Sequence, residues 1–351
     1  MKKIYIVHQY LDENHFKALY ECARNYGYEI EDYYVLDKFY IFKNIVKKEL
    51  FKKKLGLTFR EGLDYLKKQG KLKNLKNEII IVGLAPYDGL LNKYQDVFSN
   101  NKCVYFSSWQ TWDGSDFPRG SIKNRRFWEK KLSELFVAAA CVSKKTATEL
   151  NRFIDRTFVV NHALAVDEYR KKNDLTRKSR FLFFGRFEDN KNMKYMIDWL
   201  KENPDLECKF DFAGFGSYQG DIEHLAQSDS RVSYLGLLDK TEIKNILCEY
   251  DFIVLPSKFE PFGISLIEAL AAGVPCLTST ASGPMEIIED GKNGIICDKD
   301  SYESFTECMN RALTMNSTEY LKLCKNALLS GNEYSAMKIA KKWCQIFDKI
   351  K

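Results

Sequence analysis

Residues 251–273 read DFIVLPSKFEPFGISLIEALAAG, and the reading of this stretch decides the fold. The apolar run Phe252 to Leu255 has the length of a buried strand, and Pro256-Ser257 breaks it. Glu260-Pro261-Phe262-Gly263 then leads into an apolar helical pattern that carries a second carboxylate, Glu268. A helix start leaves backbone N–H groups without internal acceptors and gathers positive dipole, so a strand, loop and helix in this order suit a bound phosphate. Two acids eight residues apart around a glycine are more than a plain connection needs.

Outward from this unit the same alternation continues. Short β-rich runs precede helical patterns along the whole chain, which predicts parallel α/β architecture. Strands are expected at 3–8, 29–35, 78–83, 103–107, 136–142 and 157–160, then at 180–185, 208–213, 232–235, 251–255, 274–277 and 294–296. A chain of 351 residues accommodates two domains, and the two sets of strands predict two doubly wound, Rossmann-like ones over 1–168 and 179–332. The polar stretch Asp167 to Lys178 is read as the linker, and 333–351 as one amphipathic helix with Ile339, Trp343 and Phe347 on one face.

Composition narrows the class further. The apolar content of 45% and charged content of 29% are those of a globular chain. The ten cysteines show no CxxC pair and no zinc-type spacing, so buried thiols in a reducing compartment are expected. The run Ile4 to Val7 is a first strand, too short for a signal-peptide core, and no stretch approaches the ~18 apolar residues of a membrane span, so a cytoplasmic protein is expected. A net charge of +6 does not point to nucleic acid. Its distribution is uneven. Segment 38–76 is lysine-rich, with Phe39, Phe42, Ile45, Val46 and Leu50 at helical spacing. Such a basic amphipathic helix suits peripheral contact with an anionic membrane at the inner face of the plasma membrane; a solvated face packed on the first domain is the competing reading.

Two further segments bear on chemistry. In RFLFFGRFEDNK, residues 180–191, a strand is expected to end at Gly185, with Arg186 at its carboxyl end and Lys191 at a helix start. Ligands of open α/β sheets sit outside those strand ends, so both cations are candidates for one anion, or are plain surface residues. Gly214, Gly216 and Gly220 form GxGxxxG after a strand. The third glycine is one place late for a dinucleotide fingerprint, and a tight turn with close backbone approach to a ligand is the preferred reading.

Taken together, RFLFFGRFEDNK, FDFAGFG, VSYLGLLDK, FIVLPSKFEPFGISLIEALAAGVP and SGPMEIIEDGKNG resemble the nucleotide-sugar half of family 4 retaining glycosyltransferases of the GT-B fold, over about residues 180–310. The E-x7-E element from Glu260 to Glu268 is the most specific piece. The resemblance implies two Rossmann-like domains facing across a cleft, a final helix that crosses back to the first, and transfer of a hexose or N-acetylhexosamine from a nucleoside diphosphate sugar, UDP-linked, to a saccharide hydroxyl. By it Glu260 holds donor sugar hydroxyls and Glu268 the ribose. The backbone of Phe262, Gly263 and Ile264, with Gly185 and Gly214 nearby, meets phosphate and sugar, while Arg186 and Lys191 neutralise the diphosphate. No metal or other cofactor is expected, because these cations take the role of a divalent ion. The sole D-x-D, Asp298-Lys299-Asp300, is expected to cap a helix.

The first half departs from the family. His8-Gln9 stands where a glycine pair is common, and Ser108-Trp109 where a histidine is common. His8, at the end of the first strand, and Trp109, Trp112 and Asp113, in the loop SSWQTWDGSDFPRG, are the acceptor-side candidates; a strand-ending histidine and a packed loop are the bland alternatives. The acceptor is expected to be a saccharide and, if the basic segment 38–76 meets a membrane, a lipid-linked saccharide in bacterial surface polysaccharide synthesis. A GT-B epimerase or phosphorylase, or a partner subunit that binds sugar nucleotides without catalysis, are the alternatives.

Overall fold

The computed structural model describes residues 2–8, 16–35, 67–108, 122–174, 176 and 179–350. By its contacts the chain divides into two compact units, Met1–Asn161 with Ile339–Lys351, and His162–Lys338. Each is built on a six-stranded parallel sheet.

In the first unit the strands are β1 (Lys2–His8), β2 (Tyr28–Tyr34), β3 (Ile79–Gly83), β4 (Lys102–Ser107), β5 (Ala138–Cys141) and β6 (Thr157–Val159), in the order β2-β1-β3-β4-β5-β6. The near-continuous apolar runs of β1, β3, β4 and β5 follow from burial on both faces, whereas β2 and β6, at the two edges, are more polar or only half-buried. The helix Ala336–Ile350 covers part of this sheet from Ile339 onward. Trp343 and Phe347 are buried there against Phe106 and Tyr28, at ring distances of 6.0 and 5.3 Å. Cys22 Sγ donates to Ala340 O at 2.9 Å. None of the ten cysteines is in a disulfide and nine are buried; burial pushes the Cys324 thiol up to about 11 and Cys141 to about 12.

The second unit carries β7 (Arg180–Phe187), β8 (Lys209–Gly216), β9 (Val232–Gly236), β10 (Phe252–Leu255), β11 (Cys276–Ser279) and β12 (Gly294–Cys297), ordered β12-β11-β10-β7-β8-β9. The chain builds outward from β7 through β8 to β9, then returns to lay β10 on the other side of β7. The β7/β10 neighbours, Phe252 beside Phe181 and Ile253 beside Leu182, therefore mark the topological switch point of the sheet. Phe210, Phe181 and Phe252 stack across the three strands at 5.9 and 6.3 Å, which fixes their register.

Several expected boundaries move. β7 does not end at Gly185 but runs to Phe187, so Arg186 lies within the strand; its partner β8 runs on to Gly216, and the paired ladder carries both past the expected end. Asp167–Lys178 is not a free linker over its first half. Arg170 N donates to Lys244 O and Lys172 N to Ala272 O, while Lys171 Nζ caps the helix Ile264–Ala271 at Ala271 O, 2.6 Å away. Two of the charges that look like linker polarity in the sequence, Lys171 and Lys172, have buried partners. Lys172 Nζ meets Asp251 Oδ1 at 3.2 Å with both side chains nearly sealed, 3% and 2% exposed. Tyr320 OH and Arg180 N also donate to that carboxylate, at 3.1 Å each. Among the described residues no helix is long and apolar enough to cross a membrane.

Breaking a sealed ion pair from one side leaves the other charge buried, so Lys172→Met is expected to lower unfolding stability by about 3 kcal/mol in urea titrations. A loss below about 1 kcal/mol would show that Asp251 is satisfied without the lysine.

Candidate functional site

The site grows from the switch point. β7 and β10 leave the sheet side by side, and the loops that follow them are laced together. After β7 the chain makes a tight turn over Asp189–Lys191 and passes through Asn192 in the left-handed conformation, φ 51°, before the helix Met193–Glu202. Asparagine tolerates that geometry, and its amide earns a second role, donating to Pro256 O at 2.8 Å and Lys299 O at 2.9 Å. Lys258 N and Phe259 N donate in return to Asn190 O.

This lacing brings Lys191 to Glu260. Their Nζ and Oε2 atoms are 2.5 Å apart, with side chains only 13% and 12% exposed. The other oxygen of Glu260 lies 3.5 Å from Phe262 N, and Glu260 O accepts from Gly283 N at 3.0 Å. Asn190 Oδ1 and Ser257 Oγ are buried beside these residues in sequence and have no hydrogen-bond partner among the described residues, leaving spare polar capacity in both loops.

The helix that follows begins at Ile264, directly after Glu260–Gly263. Gly263 is its N-cap residue at φ 106°, a conformation that side-chain-bearing residues avoid. Phe262 is buried, its ring against His162 at 5.5 Å and Tyr334 at 5.8 Å. The anchored ring holds the loop while the N–H groups of Gly263 and Ile264 open a helix end.

Arg186 is exposed, next to exposed Gly185 and in register with Phe215 of β8. Gly214 has a reason that the sequence pattern did not show. A Cβ there would lie 1.8 Å from Gly185 O, so Gly214 sits within β8, not in a turn, and a close approach between neighbouring strands requires glycine. Glu268 is 8% exposed on the helix and accepts from Tyr169 OH at 3.0 Å. Burial, and then the charge of Glu268, push that hydroxyl well above its usual range. Tyr169, Asn192 and Gly283 escaped the sequence reading, since each acts through a contact far along the chain. The D-x-D at 298–300 does not cap the next helix: Tyr302–Thr314 is capped by Ser301, whose side chain accepts from Ser304 N, while Asp298 Oδ1 accepts from Asp300 N within the turn. Among the described residues no group of three or more His, Cys, Asp or Glu is placed to hold a metal ion.

In the first unit His8 closes β1 at the corresponding switch point, between β1 and β3. It is 4% exposed, and its Nε2 lies 2.7 Å from Asp32 Oδ1, while Tyr20 OH donates to Asp32 Oδ2 at 2.6 Å. Burial alone would raise the Asp32 carboxyl. The bonds from His8 and Tyr20, aided by the charge of Lys68, outweigh it and hold the group below the usual carboxylate range. Trp109, Trp112 and Asp113 lie outside the described residues, as does most of segment 38–76; from its end, Leu72 is buried in the core and Lys67, Lys68, Lys71 and Lys73 are exposed.

Two Rossmann-like units on six-stranded parallel sheets, with the polar cluster at the switch point of the second, define the GT-B class of glycosyltransferase folds. The fold matches that of Anabaena HepE in complex with UDP-glucose, with a TM-score of 0.74 and 16% identity over 99% of this chain and 100% of that one. Residues 165–328 match Glycosyl transferases group 1, so the second unit is a glycosyl transferases group 1 domain. The chain is also 27% identical over 232 residues to an uncharacterized glycosyltransferase of Methanocaldococcus jannaschii, covering 64% of this chain and 62% of that protein. It is 26% identical over 160 residues to the UDP-Gal:alpha-D-GlcNAc-diphosphoundecaprenol alpha-1,3-galactosyltransferase of Escherichia coli, covering 43% and 41%. The matched stretches thus span less than two thirds of either curated relative.

A carboxyl whose native pKa is lowered stabilises the fold above its unfolded pKa of ~3.9, and that contribution is lost as pH falls through the native value. Asp32→Asn should therefore cost about 1.5 kcal/mol of stability at pH 7, with the deficit shrinking once the pH is taken below 4. Urea titrations of both proteins at pH 7 and pH 3 check this; a deficit equal at both pH values would contradict it.

Proposed function

We propose that the protein transfers a hexose or N-acetylhexosamine, with retention of configuration, from a UDP-sugar to a saccharide hydroxyl, as a family 4 enzyme. The observation that carries this reading is the Lys191–Glu260 pair at the switch point, a cation suited to diphosphate beside a carboxylate suited to sugar hydroxyls. Arg186, exposed at the end of β7, supplies the second cation, and the amides of Phe262, Gly263 and Ile264 supply neutral donors at a helix start. Glu268 takes the ribose hydroxyls, which requires it to share or exchange its bond with Tyr169.

As the bond from the anomeric carbon to the β-phosphate oxygen breaks, negative charge grows on the diphosphate. Fixed cations and oriented dipoles stabilise that charge more in the transition state than in the bound donor, which lowers the barrier. The acceptor oxygen bonds the same face of the anomeric carbon, and its proton passes to the departing phosphate oxygen, leaving nucleoside diphosphate as the second product. In this reading the charge compensation comes from Lys191 and Arg186, and activity persists in EDTA. The resemblance to the Escherichia coli enzyme, whose name specifies a diphosphoundecaprenol-linked acceptor, supports a lipid-linked saccharide, with segment 38–76 as the peripheral membrane contact and His8 on the acceptor side.

A thermal-shift screen against UDP, GDP, ADP and their sugars tests the donor assignment, since a ligand that binds the native state raises the melting temperature by mass action. A UDP-sugar should give the largest shift, and no shift with any of them would overturn the reading. Glu260→Ala should abolish transfer yet still bind nucleoside diphosphate, whereas Arg186→Ala should weaken that binding by about tenfold. Wild-type turnover in both variants would contradict the assigned roles.

A further inference from the structure

We propose that Lys191 and Glu260 form an exchangeable pair by which the site distinguishes an intact nucleoside diphosphate sugar from the nucleoside diphosphate left after transfer. The inference rests on the donor reading given above and assigns the pair a role in specificity and product release.

The argument starts from burial. With side chains 13% and 12% exposed, neither group retains enough water to be a comfortable lone ion, and at 2.5 Å each supplies the other's main compensation. Among the described residues the surroundings offer Glu260 little else, since its second oxygen has only a 3.5 Å contact to Phe262 N. The two groups are held at this distance by the lacing of Asn190 and Asn192 onto residues 256–259, not by their own side-chain reach alone.

A diphosphate that recruits Lys191 must take it from Glu260. What happens next depends on the rest of the ligand. An intact donor brings sugar hydroxyls, which donate to the released carboxylate, so both halves of the broken pair are satisfied. A nucleoside diphosphate brings no such donor. It leaves a partly buried carboxylate stripped of its cation and facing a second anion, two unfavourable effects that the intact donor avoids or offsets. The carboxylate therefore works against the product and in favour of the substrate.

This predicts a sign that a merely structural pair would not give. In calorimetric titrations of the full chain with UDP, Glu260→Gln should bind UDP about tenfold more tightly than wild type, because the variant removes the stranded charge. The same variant should bind UDP-glucose more weakly than wild type, and Lys191→Met should weaken both ligands. Equal or weaker UDP binding by Glu260→Gln overturns the exchange. A second measurement uses wild type alone: glucose, galactose or an N-acetylhexosamine should bind more tightly with UDP present than without it, because the diphosphate frees Glu260. Binding of these sugars that is indifferent to UDP also overturns the proposal. Wild-type protein that binds none of UDP, GDP and ADP overturns the donor reading itself, an outcome distinct from UDP binding without the predicted gain.

Discussion

The pairing of β10 against β7, two strands about seventy residues apart in the chain, is the constraint on which the candidate site depends. It places the exits of both strands side by side at the carboxyl rim of the sheet. No local feature of either loop would bring Lys191 to Glu260. The stacked row of Phe210, Phe181 and Phe252 holds that pairing from within the core, so hydrophobic register sets polar geometry a few residues further on.

The second unit carries two contrasting ion pairs at opposite ends of its central strands. Asp251, just before β10, is sealed with Lys172 and further bonded by Tyr320 OH and Arg180 N, so its charge is answered from three directions. Glu260, just after β10, has one strong partner and one marginal contact among the described residues, and retains some exposure. Dense satisfaction favours a permanent structural link, while sparse satisfaction of a partly exposed pair leaves room for a ligand to take over either half. The same chemistry of lysine and carboxylate is thus sealed at one rim and left open to a ligand at the other.

Much of this was legible in the sequence because it is local. The apolar runs before Gly83, Ser107 and Leu255, the break at Pro256-Ser257 and the glycine before Ile264 each carry their own signature of strand, turn or helix start. The sequence marks Glu260 and Lys191 separately but not their contact, which the β7/β10 crossover creates. Gly214 looks like a turn glycine in the sequence, whereas the carbonyl of Gly185 on the neighbouring strand requires it, a reason invisible along one chain. The lysines of 171 and 172 look like a solvated linker until the helix end at Ala271 and the carboxylate of Asp251 are seen beside them. Tyr169 likewise gains its meaning only from Glu268, ninety-nine residues away.

The central claim is that the two loops leaving β7 and β10 jointly take the donor. Hydrogen exchange followed by mass spectrometry, with and without the nucleotide sugar that most stabilises the protein, tests it most directly. The account predicts slowed exchange in both 185–192 and 260–266, with the two segments protected together. Protection confined to the first unit, or absent from both loops while the ligand is bound, would contradict it.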